Sequence, residues 1–174
     1  MIFQTSYSSP IGQITLAGDG ENLTGLWFVG QKYYPAGQMP RDDSLPVFAQ
    51  TRPWLDAYFT GERPDMTALP LAPAGSDFRQ MIWQLLREIP YGQTTTYGAL
   101  AREAAKRLGL ASMSAQAVGG AVGHNPISII IPCHRVLGSD GSLTGYAGGV
   151  DKKQWLLAHE GAAANPGCHS KGKG

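Results

Sequence analysis

The sequence predicts an α+β chain in two parts, a small N-terminal antiparallel three-stranded sheet with one helix followed by a mostly helical C-terminal half containing a helix-turn-helix. Short alternating runs separated by turn residues occupy the first 29 positions. Unbroken helical spacing of apolar residues begins at Ser76, and a proline-rich stretch, 62–75, lies between. Residues 2–8 and 12–17 alternate as strands and meet across Ser9-Pro10-Ile11-Gly12 as a hairpin. A third strand runs from Leu23 to Val29 after the turn Gly18-Asp19-Gly20-Glu21-Asn22. Residues 30–45 hold Gly30, Pro35, Gly37 and Pro40 without a period and read as loop.

From Pro46 to Thr60, Val47, Trp54, Leu55, Tyr58 and Phe59 fall at helical spacing, so a helix covers one face of the sheet. Pro53 either kinks it or marks its true start, with Thr51 as a possible cap. Gly61 ends it, and 62–75, with Pro64, Pro70 and Pro73, reads as the linker between a domain at 1–75 and another at 76–161. Ser76 then caps a helix whose residues Phe78, Met81, Ile82, Leu85, Leu86 and Ile89 keep one face apolar until Ile89-Pro90-Tyr91-Gly92 stops it. Thr94-Thr95-Thr96 is a short extended piece. Thr96 caps the next helix, marked by Tyr97, Leu100, Ala101, Ala104, Ala105 and Leu108 and closed by Gly109. Ser114 caps a further helix of small residues, Ala115 to Val122. Two short helices joined by a glycine-containing turn fit a helix-turn-helix and equally an ordinary helical hairpin. After the turn Gly138-Ser139-Asp140-Gly141, a last helix is expected from Asp151 to Glu160, with Trp155, Leu156 and Leu157 inward. The tail 162–174 is small, polar and glycine-rich and reads as disordered, and Cys168-His169 within it as an incidental exposed pair.

Composition excludes several classes. With 43% apolar and 16% charged residues and no window near the roughly 18 apolar residues of a membrane span, this is an ordinary globular sequence. The start Met1-Ile2-Phe3-Gln4-Thr5 lacks a signal-like pattern, so a cytoplasmic location is expected. Two cysteines cannot make a disulfide framework. A net charge of +1 argues for no nucleic-acid partner, and only the local cluster Arg102, Lys106, Arg107 and His124 offers a basic surface. That cluster reads as well as a solvated helix face. No zinc-ligand spacing and no cofactor motif is present, so no metal and no cofactor are expected.

The chemistry converges on Pro132-Cys133-His134-Arg135-Val136, after the run Ile127-Ser128-Ile129-Ile130-Ile131. That run is rich in β-branched residues and reads as a buried extended segment that carries Cys133 into the interior and stops at Pro132. A cysteine so placed is a small core residue or a nucleophile. The adjacent His134 is a possible base, and Glu160 an acid able to orient it.

The stretch from Asn125 to Val136, with Gly145-Tyr146-Ala147-Gly148-Gly149, resembles the active-site signature of the O6-alkylguanine-DNA alkyltransferases, or methylated-DNA-protein-cysteine methyltransferases. The likeness extends from Ser76 to Glu160 through Ile89-Pro90-Tyr91-Gly92-Gln93, Tyr97-Gly98-Ala99-Leu100-Ala101 and Ala117-Val118-Gly119-Gly120-Ala121. Residues 1–75 resemble the family only loosely. The resemblance implies a ribonuclease H-like first domain and a winged-helix-like second one. It implies DNA repair by single-use transfer of a methyl or alkyl group from O6-alkylguanine in duplex DNA to Cys133, by a monomer that flips the base from the minor groove. His134 then takes the thiol proton, Glu160 holds the imidazole, and Asn125 is the hinge to the helix-turn-helix. Tyr97 donates to a ring nitrogen of the base, the Cys133 and Val136 carbonyls accept from its exocyclic amine, and the Ala147 N–H approaches the alkylated oxygen. Tyr146 walls the pocket. Ser114, Ala115, Ala117 and Gly119 line the groove.

One position departs from the pattern. Where the family usually carries an arginine that fills the space left by the flipped base, this chain has Gln116, which lacks the charge and the stacking plane of arginine. Weaker extrusion or binding than in a typical member follows. An alkyltransferase-like lesion-binding protein that transfers nothing is the alternative reading, but such proteins lack the cysteine. A cysteine hydrolase would need a base not adjacent to its nucleophile. A helix-turn-helix regulator would need side chains able to read major-groove edges, which Ser114 to Val122 scarcely has.

Overall fold

The computed structural model describes residues 1–35 and 37–162; of the tail expected to be disordered, 163–174 with Cys168-His169 lies outside the described residues, whereas Ala162 is buried and its N–H donates to the Leu157 carbonyl (3.0 Å), contrary to expectation. Two compact units are present, Met1–Ala74 with Pro126–Ile130, and Gly75–Asn125 with the chain from Ile131 onward.

In the first unit β1 (Phe3–Ser9), β2 (Gly12–Gly18) and β3 (Leu23–Phe28) form an antiparallel sheet in the order β1-β2-β3. The two-residue connection pairs Ser9 with Gly12 and sets Tyr7 against Ile14. Both open edges are covered, as an exposed row of unpaired N–H and C=O groups would otherwise template association. Beside β1, the Gln4 N–H donates to the Pro40 carbonyl (2.9 Å) and that of Asp42 to Gln4 (3.1 Å). Beside β3, the Leu23 N–H donates to Pro70 (2.7 Å) and that of Leu26 to Pro126 (2.8 Å).

Helix α1 (Pro46–Phe59) buries Val47, Phe48, Thr51, Trp54, Leu55 and Tyr58. It runs through Pro53 without starting there, and Thr51 is not its cap: the Thr51 hydroxyl donates to the Val47 carbonyl inside the helix (2.7 Å). The stretch 62–75 is more than a tether. It forms a 3-10 turn at Met66–Ala68 capped by Asp65, and Leu71 bridges to Leu23 because β3 needs backbone partners there.

The expected extended segment 127–131 ends almost at once. Ile127 bridges Leu26, and the Ile130 N–H then donates to the Ser128 carbonyl (2.8 Å) around Ile129 at φ +70. A γ-turn with positive φ at a β-branched residue is rare and strained. Burial and β-propensity are right for this run; its pairing with β3 ends at Ser128, whose N–H donates to the Leu26 carbonyl (3.1 Å).

The second unit is organised by α2 (Asp77–Arg87), α3 (Tyr97–Leu108) and α4 (Ala115–Gly123). Ser76, Thr96 and Ser114 cap them through side-chain oxygens that accept from Arg79, Ala99, and Gln116 with Ala117. The buried Trp83 indole donates to the Ala121 carbonyl (2.8 Å) and pins α2 to α4. Strand β4 (Thr95–Thr96) pairs in parallel with β5 (Val136–Leu137), which places the residues after Cys133 beside the start of α3. Helix α5 (Val150–His159) closes the unit. Its buried positions, Lys153, Leu156, Leu157 and, at its cap, Glu160, follow i, i+3, i+4, i+7. Trp155 lies off that stripe, contrary to expectation, and stacks half-buried on His159 with ring centres 4.8 Å apart.

The turn between α3 and α4 depends on Gly109, at φ +71, where the Leu110 N–H donates to the Ala105 carbonyl (2.8 Å). A Cβ there would meet no atom within 4 Å, so the cost of a side chain is purely conformational. Gly109→Ala is expected to lower stability by about 1 kcal/mol in urea denaturation and Gly109→Asn by clearly less. Equal losses would contradict this account of the turn.

Candidate active site

Cys133, His134 and Arg135 form one 3-10 turn, and all three are buried. The Cys133 N–H donates to the Ile131 carbonyl (2.8 Å) across Pro132, whose ring fixes the bend. Asn125, buried at the end of α4, donates from Nδ2 to the same Ile131 carbonyl (2.8 Å). The end of α4 is thus tied to the residue two before the nucleophile.

Glu160 supplies the counter-charge. Its Oε2 lies 2.7 Å from His134 Nε2, while Arg135 donates from Nε to Oε1 (2.8 Å) and from Nη2 to Oε2 (3.0 Å). Arg135 Nη1 also donates to the Ile89 carbonyl (2.6 Å), which joins the end of α2, the 3-10 turn and the end of α5. Burial by itself pushes the Glu160 carboxyl up; the nearby His134 and the hydrogen bonds from His134 and Arg135 outweigh it and hold the group well below the usual carboxylate range. Burial pushes His134 down further than Glu160 raises it, so the ring is neutral at neutral pH. An ionised carboxylate can only accept, so the His134 proton sits on Nε2. Nδ1 therefore carries the lone pair, and that buried atom has no partner among the described residues. A base is in place, oriented and unoccupied.

The thiol rests protonated. Burial raises the Cys133 pKa, against the lowering influence of an Asn125 hydrogen bond and of Lys153. Lys153 is fully buried, donates to the carbonyls of Thr144 (3.0 Å) and Gly145 (3.4 Å), and sits 5.9 Å over the Tyr97 ring. Burial brings its pKa down to about 8, with Cys133 pulling the other way. Lys153 thus acts on the thiol and also holds the loop that carries Tyr146 and Ala147.

The structure brings Cys133, His134, Glu160 and Asn125 into one buried cluster. Tyr97, at the first turn of α3, is coupled to Cys133, and burial raises its hydroxyl pKa while a Thr144 hydrogen bond opposes this. A Cβ at Gly119 would sit 3.8 Å from the Tyr97 ring, so α4 passes close to it. Val136 is buried in β5, whereas Tyr146 and Ala147 are half-buried in the loop before α5. Ser114, Ala115, Gln116 and Ala117 are exposed and Gly119 half-exposed on α4. Two residues escaped the sequence reading, Arg135 and Lys153. Lys153 was findable, as a cation on the buried stripe of α5; nothing in the sequence marks Arg135 as a buried clamp.

A thiol, an imidazole base and an orienting carboxylate on a helix-turn-helix unit define a cysteine-nucleophile protein built on a DNA-binding scaffold. Residues 77–162 match the DNA-binding domain of 6-O-methylguanine DNA methyltransferase and residues 2–73 its ribonuclease-like domain. A methylated-DNA–protein-cysteine methyltransferase of Haemophilus influenzae is 45% identical over 159 residues, covering 91% of this chain and 86% of its own length. One from Mycolicibacterium paratuberculosis is 46% identical over 160 residues, with 92% and 93% covered. Mycobacterium tuberculosis OGT in complex with DNA superposes with a TM-score of 0.79 at 41% identity, covering 92% of this chain and 93% of that one. This chain belongs to the 6-O-methylguanine DNA methyltransferase family.

Because Glu160 is held ionised by its partners, its contribution to stability is present above the unfolded carboxylate value of about 4.3 and is lost as pH falls below it. Wild type is expected to exceed Glu160→Gln in chemical denaturation at pH 7 by about 3–5 kcal/mol, the usual cost of breaking a buried pair. That advantage shrinks from pH 4.3 to 3. A gap unchanged over that range would show that the carboxylate is not the ionised centre of the cluster.

Proposed function

We propose that this chain repairs DNA by moving a methyl or small alkyl group from O6-alkylguanine in duplex DNA to the Cys133 sulfur, once per molecule, as a monomer in the cytoplasm. The observation that carries the reading is the buried thiol beside an imidazole whose Nδ1 lone pair is available while Nε2 is locked to Glu160. The thiol proton passes to His134 Nδ1, directly or through a water, and the rising imidazolium charge is balanced by Glu160. Sulfur then attacks the alkyl carbon in line, an S–C bond forms, the C–O6 bond breaks, and the electron pair leaves with the guanine oxygen. A proton delivered to the base, in which Tyr97 is the donor, completes the exchange. The product is a thioether with no leaving group, so the sulfur is not regenerated.

Lys153 belongs to this chemistry as a positioning residue. Its charge favours the thiolate as Cys133 ionises, and its bonds to the Thr144 and Gly145 carbonyls hold the loop where Ala147 and Tyr146 receive the base. The exposed small residues Ser114, Ala115, Ala117 and Gly119 let α4 approach the minor groove closely, and Gln116 occupies the position from which a side chain enters the space of the extruded base. Extrusion costs a few kcal/mol of stacking, which pocket contacts must offset.

Intact-protein mass after incubation with an O6-methylguanine duplex tests the proposal. Wild type is expected to gain one methylene and to saturate at one per molecule, and Cys133→Ala to gain nothing. Binding of the duplex with no change of mass would favour the lesion-binding alternative.

A further inference from the structure

We propose that the groove between α3 and the segment leading into α4 seats the phosphodiester backbone of duplex DNA beside the stretch that α4 engages. This rests on the reading that the chain acts on duplex DNA. The groove measures about 540 Å³ and is bounded by Arg102, Ala105, Lys106, Leu110, Met113 and Ala115. Ala115 is the first residue of α4, so the groove is continuous with the exposed face assigned to the minor groove.

Charge decides what fits there. Three cations lie along this part of α3, and one is neutralised locally: Arg107 donates to Glu88 (2.8 Å) and to Glu103 (3.1 Å). Arg102 and Lys106 are exposed and make no ion pair or hydrogen bond among the described residues. Standing four apart, they share one helix face. No carboxylate borders the groove, so two unspent positive charges meet whatever enters it. Arg102 Nη1 lies 3.6 Å from where a Cβ at Gly98 would stand, an ordinary contact, so the guanidinium reaches back over the first turn of α3, beside Tyr97. The floor at Ala101 and Ala105 is small and uncharged. An open trough with cations along one wall and no carboxylate in its lining to neutralise them complements a phosphate strand. It also supplies the local charge that a net +1 chain needs to hold DNA at all.

Fluorescence anisotropy of the full chain with an unmodified duplex, over a series of salt concentrations, tests this. Each neutralised phosphate contact contributes a slope of about 0.9 in log K against log salt. Arg102→Gln and Lys106→Gln are each expected to weaken binding several-fold at low salt and to reduce the slope by about one, while Arg102→Lys keeps it. Arg107→Gln, already paired, should leave the slope unchanged. Wild-type slopes in both Gln variants, or an equal drop in Arg107→Gln, would overturn the groove assignment while leaving duplex binding intact. Absence of duplex binding by wild type would instead bring down the DNA reading on which it stands.

Discussion

The second unit depends on one carboxylate. Glu160 accepts from His134 and twice from Arg135, with all three side chains shut away from water. A buried charge without partners is costly, so this cluster exists only when the end of α5, the 3-10 turn at Cys133 and, through Arg135 and Ile89, the end of α2 are all in place. The same bonds that stabilise the unit set the tautomer of the base. Stability and reactivity are therefore not separable at this point, where a buried polar network surrounds the residues next to the thiol.

Around that centre the backbone is shaped to place one sulfur. Pro132 bends the chain, Asn125 ties the end of α4 to Ile131, and β5 lies beside β4 so that the turn sits next to the first residues of α3. Lys153 completes the site from the opposite side of the sequence, gripping two carbonyls of the 144–149 loop while influencing the thiol. Helix α4 is capped, pinned by Trp83 and otherwise almost without side chains on its outer face. A helix built this way gains little from its own residues and is stabilised by what it packs against; its bareness is useful to a partner that must come close.

Much of this was legible. The three strands, the caps at Ser76, Thr96 and Ser114 and the stop at Gly109 are local signals, and local signals are what sequence periodicity and capping chemistry report. The cluster Cys133, His134, Glu160 and Asn125 was legible through its motif. The failures are all non-local. The run 127–131 has the composition of a strand but pairs with β3 only through Pro126 and Ser128, either side of the Ile127 bridge, and turns at Ile129 instead. Pro53 passes inside α1, where the packing of Trp54, Leu55 and Tyr58 maintains the helix beyond it. Trp155 looked like core because it is large and apolar, whereas the phase of α5 gives the inward position to Lys153. Arg135 has no role that the sequence marks until the fold delivers Glu160 to it.

The central claim is that His134 waits as a neutral base with its proton on Nε2. Nitrogen-15 NMR of the histidine rings in the intact protein, with His134 assigned by substitution, tests it directly. At pH 7 the account predicts a protonated, pyrrole-type signal for Nε2 and a bare, pyridine-type signal for Nδ1. A proton found on Nδ1, or a ring charged at that pH, would contradict it and remove the acceptor on which the proposed activation of Cys133 relies.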